Sequence, residues 1–128
     1  MARIILAEGD PVIGQMIADA MFDAGYALGV IEDGAAALLL MRARPPHLAI
    51  IDCATPGISG VELVRAMRGD GQLSHLPVLM LTESHSLADE AVAFSAGADD
   101  YLRKPAELGQ LVGRVDALLL RASKARVA

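Results

Sequence analysis

Short apolar runs alternate with amphipathic stretches along the chain, five times over. Ile4-Ile5-Leu6-Ala7 reads as a buried strand. Asp10 can cap the helix that follows, with Pro11 at its first position, where the missing N–H would have had no partner anyway. Ile13, Met16, Ile17 and Ala20 recur at helical spacing, and Gly25 ends that helix. Tyr26 to Val30 forms a weaker strand, and Asp33 can cap a second helix whose apolar face is expected at Leu38, Leu39 and Met41. Pro45-Pro46 stops it. His47 to Ile51 is the most continuous strand, followed by the loop Thr55-Pro56-Gly57-Ile58-Ser59-Gly60. A third helix carries Val61, Val64 and Met67 and breaks at Gly69-Asp70-Gly71. Pro77 precedes a strand from Val78 to Leu81, and a fourth helix runs from about Ser86 to Ser95, closed by Gly97. Asp100-Tyr101-Leu102 is a short fifth strand. The last helix presents Leu108, Leu111, Val112, Val115, Leu118 and Leu119 on one broad face.

Strands that are apolar on both faces, interleaved with helices, imply a parallel sheet covered on both sides. Right-handed crossovers make this a doubly wound α/β sandwich of three layers, with five strands and five helices. No stretch reads as a linker, and 128 residues suit one domain, so a single domain over 1–128 is expected. Apolar residues make up 54% of the chain and aromatics only 3%, so the core must be aliphatic.

Composition narrows the setting. Cys53 is the single cysteine, so no internal disulfide can form and a reducing, cytoplasmic location is expected. At a strand end Cys53 reads as a small buried residue rather than a redox sensor. Met1-Ala2-Arg3 leads straight into the first strand without a secretory signal, and the longest apolar run, Ala35 to Met41, is too short to span a bilayer. A formal net charge of −5 argues against a nucleic-acid surface. The one basic cluster, Arg121, Lys124 and Arg126, reads as a solvated helix end. His47, His75 and His85 are expected to share no rim and so to hold no metal.

In open α/β sheets, ligands sit beyond the carboxyl ends of the strands. Glu8 follows the first strand, Asp52 the third, Thr82 the fourth and Lys104 the fifth. Two carboxylates, a hydroxyl and an ammonium should therefore converge. Carboxylates crowded at one rim invite a divalent cation, and hard oxygen ligands favour Mg²⁺. A carboxylate can attack phosphorus to become an acyl phosphate, with the cation and Lys104 neutralising the transferring group and Thr82 donating to it.

Glu8-Gly9-Asp10-Pro11, Ile51-Asp52 with Pro56-Gly57 and Gly60, Leu81-Thr82, and Gly97-Ala98-Asp99-Asp100-Tyr101-Leu102-Arg103-Lys104-Pro105 occur in order over nearly the whole chain. They resemble the signature of the receiver domains of bacterial two-component response regulators, the CheY-like superfamily. The resemblance implies a flavodoxin-like sheet of strand order 2-1-3-4-5. It also implies Asp52 as the phosphoacceptor, fed by a histidine kinase or a histidine phosphotransfer protein. Glu8, Asp52 and the backbone carbonyl of Ala54 would hold Mg²⁺, Lys104 and Thr82 would contact the phosphoryl group, and the Lys104–Pro105 peptide would be cis. Tyr101 would reorient with Thr82 and change the face made by the fourth helix, fifth strand and fifth helix, which a downstream protein or a fused output domain would read.

Three positions depart from the pattern. Gly9 stands where such domains carry a second acidic residue that ligates the metal. Asp10 is the other nearby acid and the remaining metal candidate, although it aligns one position further on and reads as a helix cap. Mg²⁺ is therefore expected to bind about 10–100-fold more weakly, with phosphorylation needing more Mg²⁺ or a committed partner. Glu83, after Thr82, is expected to point to solvent. Ala106, where a bulky apolar residue is usual, implies a looser start to the last helix. Loss of metal binding would instead leave a degenerate receiver, a phosphorylation-independent interaction module. Enzymes of the same architecture fit less well. A haloacid dehalogenase-type phosphohydrolase would want an acid at Ala54, and a flavodoxin-type flavin loop would not carry Glu8 and Asp10. No enzymatic turnover is expected.

Overall fold

The structure, a computed structural model, describes residues 1–127, with side chains through residue 125. Strands and helices alternate strictly: β1 (Arg3–Ala7), α1 (Pro11–Asp23), β2 (Ala27–Ile31), α2 (Gly34–Ala43), β3 (Leu48–Asp52), α3 (Gly60–Arg68), β4 (Val78–Thr82), α4 (Leu87–Ala96), β5 (Asp100–Arg103) and α5 (Leu108–Val127). All strand pairings are parallel, in the order β2-β1-β3-β4-β5. This is the flavodoxin-like order that the resemblance implied.

Period-two alternation along the strands divides the core. Leu48 and Ile50 of β3 join Ile17 and Met21 of α1 and Leu111, Val115 and Leu118 of α5 on one face. Ala49 and Ile51 join Ala37 and Met41 of α2, Leu63, Val64 and Met67 of α3, and Ala93 of α4 on the other. All five residues of β3 and all five of β4 are buried, and both strands are apolar up to their last residues, Asp52 and Thr82.

The caps act as expected. Asp10 accepts from the N–H groups of Val12 (2.8 Å) and Ile13 (3.2 Å), and Asp33 accepts from that of Ala36 (2.8 Å). On α2, however, the apolar face is Gly34, Ala37, Leu38 and Met41, and Leu39 is exposed. Residues 34, 37, 38 and 41 follow helical spacing, whereas Leu39 lies about 100° round from Leu38. β2 lies one residue later than expected, ending at Ile31. No helix among the described residues is long and apolar enough to cross a membrane. Arg121 and Lys124 are exposed on the last turns of α5, and the side chain of Arg126 lies outside the described residues.

Candidate functional site

The carboxyl ends of β1, β3, β4 and β5 meet at one rim. Glu8 extends the β1–β2 pairing by one bond, its N–H donating to the Ile31 carbonyl (3.0 Å), and is 1% exposed. Asp52 closes β3 opposite Leu81 and is 8% exposed. Thr82 closes β4 and is buried, and its carbonyl accepts from the Lys104 N–H (2.6 Å). That backbone bond delivers the Lys104 side chain to the same rim. Its Nζ donates to Glu8 Oε1 and lies 3.4 Å from Asp52 Oδ2. Glu8, Asp52 and Lys104, expected to face one another, do so.

Two carboxylates share one ammonium here, so one negative charge is left over in a nearly dry site. Burial, reinforced by Asp52, pushes the Glu8 carboxyl up to about 7, against the opposing pull of Lys104. Burial works against the Lys104 ammonium, but the two carboxylates outweigh it and raise its pKa. Glu8 Oε2 is buried and has no hydrogen-bond partner among the described residues. An orphaned carboxylate oxygen with one uncompensated charge suits a hard divalent cation, with Asp52 as a companion oxygen donor. The acidic shell is thin. No group of three His, Cys, Asp or Glu side chains comes together as a metal cluster among the described residues. Asp10 is not drawn in: it is exposed and its carboxylate is spent on the start of α1.

Gly9 has a packing partner. A Cβ built there would lie 2.9 Å from Pro56 Cδ and 3.2 Å from Pro56 Cγ. Pro56 is held in place by its own carbonyl, which accepts from the Gly34 N–H (2.9 Å), and by the turn in which the Thr55 hydroxyl donates to the Ile58 carbonyl (2.7 Å). At the end of this loop Gly60 allows α3 to start hard against the site: a Cβ would sit 2.3 Å from the Asp52 carbonyl oxygen.

Of the remaining candidates, Thr82 Oγ1 accepts from the Ser84 N–H (3.0 Å). Tyr101 is buried with its ring centroid 6.0 Å from that of Phe94, and its hydroxyl has no partner among the described residues. The Lys104–Pro105 peptide is cis. Glu83 is exposed, as expected. Beside Lys104, a cavity of about 370 Å³ opens between Ile17, Leu81, Ala106, Leu108 and Leu111, where the small Ala106 leaves space before α5. Cys53 is half-buried rather than fully buried, and burial pushes its thiol pKa up, away from reactivity.

The histidines require a correction. His47 and His75 line one cavity of about 390 Å³ at the opposite edge of the sheet, beneath Ala122 and Ala125 of α5. They precede β3 and β4, and adjacent parallel strands start at the same edge, so they do share a rim. His47 is no free ligand there, since its Nδ1 accepts from the Arg3 N–H (2.9 Å), which leaves its proton on Nε2. The sequence reading also passed over Ser84, whose bonds lie at the heart of the loop after β4. A lone serine in a loop carries no periodic signal.

Residues 4–116 match the response regulator receiver domain family. The chain is 39% identical over 121 residues to the transcriptional regulatory protein TctD of Salmonella typhimurium, an overlap covering 94% of this chain and 53% of that protein. The chain thus spans about half the length of that relative. The chemotaxis protein CheY4 of Vibrio cholerae superposes with a TM-score of 0.87 at 29% identity, covering 92% of this chain and 98% of that one. The receiver domain of a Pseudomonas aeruginosa sensor histidine kinase, solved with a magnesium ion coordinated in its active site cleft, shares the fold. Its TM-score is 0.86 at 24% identity, over 92% of this chain and 97% of that one.

Proposed function

The chain belongs to the response regulator receiver domain family of two-component systems, and on that premise we propose that Asp52 is its phosphoacceptor. One observation carries the reading: Lys104 Nζ pairs with Glu8 while lying 3.4 Å from Asp52 Oδ2 at the open end of the sheet. An Asp52 oxygen attacks phosphorus as the bond to the imidazole nitrogen of a histidine kinase or histidine phosphotransfer protein breaks, and the electron pair leaves with that nitrogen. Lys104 neutralises charge on the transferring oxygens. Thr82 keeps its hydroxyl proton for a phosphoryl oxygen, because its bond with Ser84 uses the oxygen as acceptor. Mg²⁺, held by Glu8, Asp52 and the Ala54 carbonyl, would supply further charge neutralisation. Its affinity is low because Gly9 brings no carboxylate.

Occupancy of Asp52 then shifts the populations of Thr82 and Tyr101, and with them the face of α4, β5 and α5 that a downstream protein or an attached output domain reads. Residues 1–128 act as one receiver domain in the cytoplasm. They act as a phosphoryl acceptor and not as an enzyme that turns over a diffusible substrate. Direct contact with nucleic acid is disfavoured by the net charge of −5.

Exposure to acetyl phosphate and Mg²⁺, read by intact mass, tests this: a single phosphoryl adduct is expected, and none in Asp52→Asn. The packing of Pro56 on Gly9 favours a second reading, a degenerate receiver that binds its partner without phosphorylation. Failure to form the adduct at any Mg²⁺ concentration, with a kinase failing too, would select it.

A further inference from the structure

We propose that Ser84 passes the state of the Thr82 hydroxyl to the first turn of α4 and to Arg103, making it the positioning residue that joins the acceptor site to the α4–β5 face. The inference rests on the phosphoacceptor reading for its biological use, but the coupling itself is a property of the unmodified chain.

Ser84 is half-buried and spends every polar group it has. Its N–H donates to Thr82 Oγ1 (3.0 Å). Its hydroxyl donates to Asp89 Oδ2 (2.6 Å) and accepts from the Ser86 N–H (3.1 Å). Its carbonyl accepts from Arg103 Nε–H (3.3 Å). The partners belong to three parts of the switch. Thr82 ends β4. Ser86 caps α4, its Oγ accepting from the Asp89 N–H (3.3 Å), and Asp89 lies in the first turn. Arg103 ends β5, precedes Lys104, and reaches Glu90 of the same turn at 3.8 Å.

Rotating the Thr82 hydroxyl towards a group on Asp52 withdraws the acceptor from the Ser84 N–H. A half-buried N–H without a partner is costly, so the loop must rearrange to find another. Ser84 cannot shift without also straining its bonds to Asp89 or Arg103. The receiving element is weakly held: only Ala93 and Ala96 of α4 are buried, and Leu87, Ala88 and Asp89 are exposed. A first turn with so little apolar anchorage sits at the low-stability end of the fold, where a few hydrogen bonds decide the population.

A double-mutant cycle read by amide hydrogen exchange tests the coupling without any phosphoryl group. Thr82→Val removes the acceptor at nearly constant shape, and Ser84→Ala cuts the link to α4. In the native background, Thr82→Val should speed exchange across Ser86–Glu90 by about five- to thirty-fold. In the Ser84→Ala background it should add less than about twofold. Ser84→Thr, which keeps the hydroxyl, should restore the dependence. Additive effects, or a first turn indifferent to Thr82→Val, would overturn the proposal. In a second arm with acetyl phosphate, Ser84→Ala should gain the adduct while the α4 amides no longer respond. A normal response there would also overturn it. Absence of the adduct from the native protein would strike the phosphoacceptor reading alone, since the first arm stands without it.

Discussion

The Pro56 ring lies so close over Gly9 that a Cβ at position 9 would sit 2.9 Å from Pro56 Cδ. The missing carboxylate and the position of this ring are therefore one feature. Restoring the acid alone forces a ring held by the Gly34–Pro56 bond to move. Gly9→Asp should raise Mg²⁺ affinity by less than the roughly 10–100-fold that a full ligand shell commands, and Gly9→Asp with Pro56→Ala should recover more of it. Titration calorimetry with Mg²⁺ reads both, and equal affinities in all three proteins would refute the role given to Gly9.

Lys104 is the counter-ion of two buried carboxylates, so its removal leaves both uncompensated. Lys104→Met should lower stability in urea at neutral pH by about 3–5 kcal/mol in the absence of divalent cations. Adding Glu8→Gln should return much of that loss, because the surplus charge goes with it. A double variant no more stable than Lys104→Met would show that packing, not charge, is what Lys104 supplies.

Tyr101 buries a hydroxyl that lacks a partner. A stranded group of this kind costs about 1–3 kcal/mol, so Tyr101→Phe should be neutral or stabilising by about 1 kcal/mol in urea unfolding. A clear loss of stability would mean that the hydroxyl is satisfied in solution.

Tyr26 donates to Asp116 and so ties the turn just before β2 to α5. Burial, and then that carboxylate, push its phenol up to about 12 from an ordinary 10.0. The native chain therefore holds this proton more tightly than the unfolded one. The stability it contributes is complete below pH 10.0 and is lost as pH rises through about 12. Tyr26→Phe should flatten the fall in urea midpoint across that window. An unchanged slope would place the alkaline sensitivity elsewhere.

Much of this was legible in the amino-acid order, for physical reasons. Buried strands such as Leu48 to Ile51 announce themselves by being apolar on both faces, and Asp10, Asp33 and Pro11 punctuate the helices. Once the sheet is parallel, its carboxyl ends must share a rim, so Glu8, Asp52, Thr82 and Lys104 could be placed together. Strand order came only from the resemblance, since periodicity does not say which strands are neighbours. The same rule places His47 and His75, each just before a strand, at the opposite rim, so their shared edge followed from the strand order as well. Side chains that act through the backbone were silent. Arg68 donates to the carbonyls of Gly97, Ser74 and Leu76 and pairs with Asp99, yet in sequence it is one more basic residue at a helix end. Ser84 was hidden in the same way. Leu39 failed because apolar character alone does not say which side of a helix a residue takes.

The most direct measurement asks where the phosphoryl group goes. The protein would be treated with acetyl phosphate and Mg²⁺, the acyl phosphate reduced with borohydride, and the peptides mapped by mass. The arrangement of Glu8, Lys104 and Asp52 predicts a single reduced aspartate, at position 52, in a yield that grows with Mg²⁺ and collapses in Lys104→Met. Reduction at another carboxylate, or a yield at Asp52 indifferent to Lys104, would contradict the account.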